Sequence, residues 1–175
     1  MKKFLLFALL ALLGVGGSMF AYTYTTATTT IAISAPASDF ATVTTGNITA
    51  VPTVFGKYTG TWPSNTLFNI APNASYPGDL VIRVSLVNAG ALIRAYEHSN
   101  MTLQFVDSAS QTVDEQRGFQ VLNLDNAEVE FTWANGTGTA PYRVMLTGGS
   151  FRLHPWKSLS GGSVQPQLWC EILQR

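Results

Sequence analysis

The sequence predicts an all-β fold, a jelly-roll-like β-sandwich with one extended strand at its N-terminus. Three observations carry this. No apolar period of 3.6 residues is sustained after the first twenty or so residues, so amphipathic helices are not expected. Short β-branched and aromatic runs recur instead, broken by "YPGD", "NAG", "DSAS", "NGTGTAP", "TGG", "HP" and "SGG". Two of the runs alternate cleanly. "LVIRVSLV" puts Leu80, Ile82, Val84 and Leu86 on one face, and "EVEFTWA" sets Val129, Phe131 and Trp133 against Glu128, Glu130 and Thr132. Each such strand has one face for a core, and many short strands with Gly and Pro turns make a two-sheet sandwich.

The elements follow in order. "MKKFLLFALLALLGVGGSMFA" has basic Lys2 and Lys3, an apolar run from Phe4 to Leu13, then small residues. This is the layout of a signal peptide, residues 1–21. Cleavage is expected between Ala21 and Tyr22, with a cut after Ser18 as the alternative. An uncleaved anchor is the competing reading, since Phe4 to Tyr24 is just long enough to span a bilayer. The glycines and serine that interrupt the apolar run favour processing.

The mature chain then opens on Tyr22–Ser34, uncharged and rich in threonine. β-Branching suits a pleated strand. Thirteen residues at roughly 3.3 Å each reach about 43 Å, well beyond an ordinary strand. Two fates are open: an edge strand folded back on its own domain, or a strand added to the sheet of a neighbouring copy. Further strands are expected at Ala41–Ala50, Thr53–Tyr58, Leu80–Val87, Ala91–Glu97, Met101–Asp107, Phe119–Leu124, Val129–Ala134, Arg143–Leu146, Phe151–Leu153 and Pro166–Leu173. Thr59–Gly78, with three prolines, reads as a long connection pinned by Trp62 and Phe68. Loops of that length are usually functional, and a lateral contact surface is the functional alternative.

Composition narrows the function. Only 11% of the residues are charged and the formal net charge is zero, which argues against nucleic acid. From Phe4 to Gly78 the charged residues are Asp39 and Lys57 alone. A free surface so poor in charge has little protection against association. Partners could bury it, or glycans could solubilise it: Asn47, Asn73, Asn100 and Asn135 each open an N-glycosylation sequon. Cys170, the single cysteine, excludes an intramolecular disulfide and reads as buried filler in "QLWCEIL".

Nothing points to catalysis. His98 and His154 lack the carboxylates at fixed spacing that a metal site needs, and no metal ligand or catalytic residue is assigned. Asp107, Asp114, Glu115 and Asp125 lie near predicted strand ends, where Ca²⁺ bridging between subunits competes with simple solvated acids. No other cofactor is expected. Trp62, Trp133, Trp156, Tyr96 and Tyr142 could line a sugar-binding face, with Trp156 the best placed for exposure and Trp133 on a core face.

In order, "MKK", a short apolar run, "LGVGGSMFAYTYT" and a Thr-rich strand leading to "TTGNIT" resemble the TasA/camelysin family of biofilm-fibre proteins, and more closely its archaeal relatives, the bundling pilins. The likeness covers the leader and first third by pattern, and the remainder only by all-β character. It implies that residues 22–36 are a donor strand entering the next jelly-roll subunit, residues 37–175. Tyr22, Tyr24, Thr26, Thr28, Thr30, Ile31 and Ile33 would be the donor residues. The chain departs from bacterial members, which often carry an acid soon after the aromatic; here none occurs before Asp39. Some relatives have been labelled peptidases, but no zinc motif is present. Archaeal tubule-forming proteins with similar strand exchange are a second resemblance.

The expectation is therefore a secreted, non-enzymatic subunit of an extracellular filament, a bundling pilus or biofilm matrix fibre on the cell surface. Its partners would be itself, as a head-to-tail homopolymer, and neighbouring filaments through lateral bundling. It would meet the membrane only during secretion and would bind no nucleic acid. The competitors are a secreted carbohydrate-binding β-sandwich and a pilin with a helical stalk.

Overall fold

A computed structural model describes residues 26–29, 31–34, 40–46, 51–54, 58–155 and 165–175. The expected cleavage junction, donor residues Tyr22, Tyr24 and Thr30, sequon Asn47, and Trp156 lie outside them. The strands are β1 (Thr26–Thr29), β2 (Ala32–Ser34), β3 (Ala41–Thr45), β4 (Val51–Val54), β5 (Thr59–Thr61), β6 (Asn65–Pro72), β7 (Leu80–Leu86), β8 (Tyr96–Val106), β9 (Phe119–Asn123), β10 (Glu128–Trp133), β11 (Tyr142–Leu153) and β12 (Gln167–Gln174). Among the described residues one short helix, α1 (Ala89–Leu92), interrupts them.

The strands form a four-stranded sheet in the order β10-β7-β12-β2 and a larger sheet in the order β3-β6-β11-β8-β9, with β5 also on β11. β1 and β4 make a separate antiparallel pair. Among the described residues every strand pairing is antiparallel except β2 with β12. One apolar core lies between the two sheets. The four-stranded sheet contributes Leu80, Ile82, Val84, Phe131, Leu168, Cys170 and Ile172; the larger contributes Phe68, Ile70, Leu103, Phe105, Val144 and Leu146. The expected all-β, two-sheet architecture is present. The alternation read in "LVIRVSL" is the alternation of burial along β7.

Three expectations need correction. Thr59–Gly78 is not mainly a loop: it carries β5 and β6, and β6 lies inside the larger sheet between β3 and β11. Its period is broken because Val144 pairs with Phe68 and Met145 with Thr66, leaving Leu67 as an extra residue. Leu67 and Phe68 are both fully buried, so a search for strict alternation passes over the strand. Trp62 and Phe68 do pin the segment, at 3% and 0% exposure.

The predicted strand Ala91–Glu97 is instead the turn of helix α1 leading into β8. Ala89, Ala91 and Leu92 favour helix, and Leu92 and Ala95 bury one face at i, i+3 spacing. Finally, Arg143–Leu146 and Phe151–Leu153 are one strand, β11. The "TGG" between them reads as a turn but continues the strand past Asn100. Gly149 has φ +142°, and a Cβ there would collide with the Asn100 carbonyl oxygen, so glycine is required for close approach rather than for reversal.

Candidate functional site

The most distinctive part of the sheets is the border where β12 meets β2. On its inner side β12 is fixed by a long register with β7, from Leu168 opposite Leu86 to Gln174 opposite Leu80. Asn88 clamps the start of β12. Its Nδ2 donates to Gln165 O at 2.7 Å, and its Oδ1 accepts from Gln167 N at 2.9 Å. Val87 N also donates to Gln167 O at 3.0 Å. Nothing in the sequence around Asn88 signals this, because its partners are nearly eighty residues away.

Against that fixed edge lies β2, in parallel. Ala32, Ile33 and Ser34 pair with Gln167, Leu168 and Trp169. Ile31, at 7% exposure, belongs to the core, and Ile33 packs against it half-buried. The two are spaced i, i+2, so they point to the same side of an extended chain. Just before them, β1 pairs Thr26 with Val54 and Thr28 with Pro52. The described donor candidates are thus split between two partners: Thr26 and Thr28 on β4, and Ile31 and Ile33 beside β12.

The opposite edge of the same sheet is finished differently. Thr132 N donates to Asp114 Oδ2 at 2.7 Å, and Arg117 Nη1 donates to Glu130 O at 2.7 Å. A loop therefore supplies partners to the outer backbone groups of β10. Asp114 also accepts from Arg117 N at 3.1 Å and is 7% exposed. On the outer face of the sheet Arg83 lies within 3.2 Å of Glu128, 2.8 Å of Glu130 and 2.9 Å of Glu171. The Arg83 hydrogen bond, outweighing the cost of desolvation, holds the Glu130 carboxyl below its ordinary range, and the charges of Arg83 and Arg117 add to this.

The other candidates separate by place. Asp107 is 6% exposed, and its carboxylate accepts from Ala109 N, Gln111 N and Thr139 N. Asp107 and Asp114 are therefore not solvated loop acids; they hold their loops by binding backbone N–H groups. His98 and His154 line one cavity of about 330 Å³ with Asp125. His98 Nε2 lies 3.5 Å from Ser150 Oγ and His154 Nε2 lies 3.3 Å from Ile93 O. Among the described residues, no group of three or more His, Cys, Asp or Glu is placed to hold a metal ion. Cys170 is buried filler, and burial pushes its thiol up to about 12.

Trp62, Tyr96, Trp133 and Tyr142 are all between 1% and 6% exposed. They build the core rather than an aromatic platform, which corrects the idea of a sugar-binding face made from them. Of the sequons, Asn73 and Asn135 lie in exposed turns, and Asn100 is exposed on β8, which is paired on both sides. A comparison with protein-family models finds no match, and none is found among curated proteins.

Proposed function

We propose that this protein is a secreted structural subunit of an extracellular filament, polymerising head to tail by donor-strand complementation. In this reading the segment ending in Ile31 and Ile33 leaves its own sandwich and takes the same place beside β12 of the next copy, in a jelly-roll-like subunit. The observation that carries it is β2 itself: three residues, parallel, at the rim of an otherwise antiparallel sheet, and belonging to the N-terminal segment.

Two physical features support exchange. A parallel strand has no hairpin to its partner, and most of the chain separates Ser34 from Gln167, so no tight turn holds β2 in place. An identical segment from another copy would make the same contacts at little energetic cost, as in domain swapping. Because the donor and acceptor surfaces differ, each added copy would present a new acceptor edge, and growth would be open-ended. Phe119 and Val121, 60% and 44% exposed on β9, offer apolar area for lateral contact between filaments.

The test is deletion of residues 22–33 from the mature chain. The expected product is a β-rich monomer by circular dichroism that forms no filaments under the electron microscope. Filaments of normal length would overturn the reading.

A further inference from the structure

Asn73 and Asn135, sixty-two positions apart in sequence, line the same cleft of about 380 Å³ with Tyr76, Pro77, Trp133 and Tyr142. The size is within the roughly 300–1,000 Å³ typical of small-ligand sites. The two sequons are used differently. Asn135 ties the cleft walls together: its Nδ2 donates to Pro77 O at 2.9 Å and its backbone N to Asp79 Oδ1 at 3.0 Å. Asn73 forms a compact turn in which Ser75 N and Ser75 Oγ both donate to Asn73 Oδ1, at 3.1 and 2.8 Å. The hydroxyl of the sequon is thus already on the acceptor amide, in an exposed loop.

We propose that Asn73 carries an N-linked glycan whose first sugars lie in this cleft, while Asn135 is structural. In the transfer, Asn73 Nδ2 forms a bond to the anomeric carbon of a lipid-phosphate-linked oligosaccharide. The anomeric C–O bond breaks, the lipid phosphate leaves with the electron pair, and the amide gives one proton to a base of the transferase.

The cleft suits that occupant. Trp133 Nε1 and Tyr142 Oη both donate to Thr137 O, at 3.2 and 2.9 Å. Their polar atoms are used inside the protein and both rings stay in the core, so the apolar surface open to the C–H faces of a sugar comes from half-buried Tyr76 and exposed Pro77. Polar groups of the Asn135 turn stand beside them. The need is also local: no charged residue occurs from Thr59 to Gly78, and a glycan would hydrate this charge-free stretch without placing charge on it.

The test is peptide mass spectrometry of the full secreted chain from the organism that makes it, with Ser75→Ala, Ser75→Thr and Asn135→Gln beside wild type. The Asn73 peptide should carry an oligosaccharide mass in wild type, in Ser75→Thr and in Asn135→Gln, and lose it in Ser75→Ala. Backbone amides over residues 133–142 should exchange several-fold more slowly in wild type than in Ser75→Ala. An unmodified Asn73 in wild type, or a glycan kept in Ser75→Ala, overturns the assignment. Equal exchange rates overturn the seating in the cleft.

Discussion

Strands β2 and β10 border the same sheet, and the chemistry that holds them differs. β10 runs six residues in register with β7, and its free side is met by a buried carboxylate and a guanidinium from the 114–117 loop. β2 has three paired residues and lies in a stretch with no charge before Asp39. Open edges invite further strands, and charge or side-chain cover discourages them. The β10 side carries such cover, set by residues far apart in sequence. The β12 side is covered by three paired residues of backbone, with two isoleucines as anchors. The difference teaches where polymerisation would be directed: one edge is closed by the fold, the other by a segment that an identical chain could supply.

The largest expected effect comes from spoiling the anchor. Ile31→Asp places a charge in a core position, where an unpaired carboxylate is strongly disfavoured. On the strand-exchange reading the variant cannot donate, yet its β12 edge still accepts a wild-type strand. Small amounts mixed with wild-type chain should therefore stop elongation and shorten filaments several-fold by electron microscopy. A variant that left wild-type filament length unchanged while remaining folded would erase the proposed contrast between the edges.

Asp114→Ala attacks the other edge. It removes the acceptor for Thr132 N and Arg117 N and leaves backbone donors without their partner. Each orphaned group costs about 1–3 kcal/mol, so with two of them urea unfolding should register a loss of at least about 2 kcal/mol. A new tendency to associate through β10 should accompany it, seen as concentration-dependent sedimentation even when residues 22–33 are deleted. A loss of stability without new association would mean that β10 is kept apart by something other than its side-chain cover.

The contrast was only half legible in the sequence. The isolated, uncharged segment at Tyr22–Ser34 was plain, because lack of charge and excess of β-branched residues are local properties. So were β7 and β10, whose alternation is unbroken. The closure of β10 was hidden: Asp114 and Arg117 act on residues 13 to 18 positions away, and acids at strand ends look alike whether solvated or buried. β6 was missed because the extra residue at Leu67 breaks the period and Pro63 and Pro72 mimic turn signals. The Asn88 clamp on β12 is equally silent, since an asparagine before Ala-Gly reads as a turn residue and no more.

The smallest expected effect separates charge from hydrogen bonding on this sheet. Glu130 is held below its ordinary pKa of 4.5 chiefly by its hydrogen bond to Arg83. A carboxyl depressed in the folded state adds stability that is fully present above the unfolded pKa and is lost as pH falls through the folded value. The Glu130 side chain is 31% exposed, so water and salt screen the pair, and its share should stay under about 1 kcal/mol. Urea midpoints should therefore fall modestly as pH drops from about 5 to about 3, and Arg83→Met should flatten Glu130's part of that slope. Added salt should shrink it too, by screening, while leaving the Asp114→Ala loss nearly intact, because that loss comes from orphaned backbone donors. If instead salt abolished the Asp114→Ala loss and spared the Arg83 slope, the β10 edge would be closed by charge and its distinction from β2 would lie in length of pairing alone.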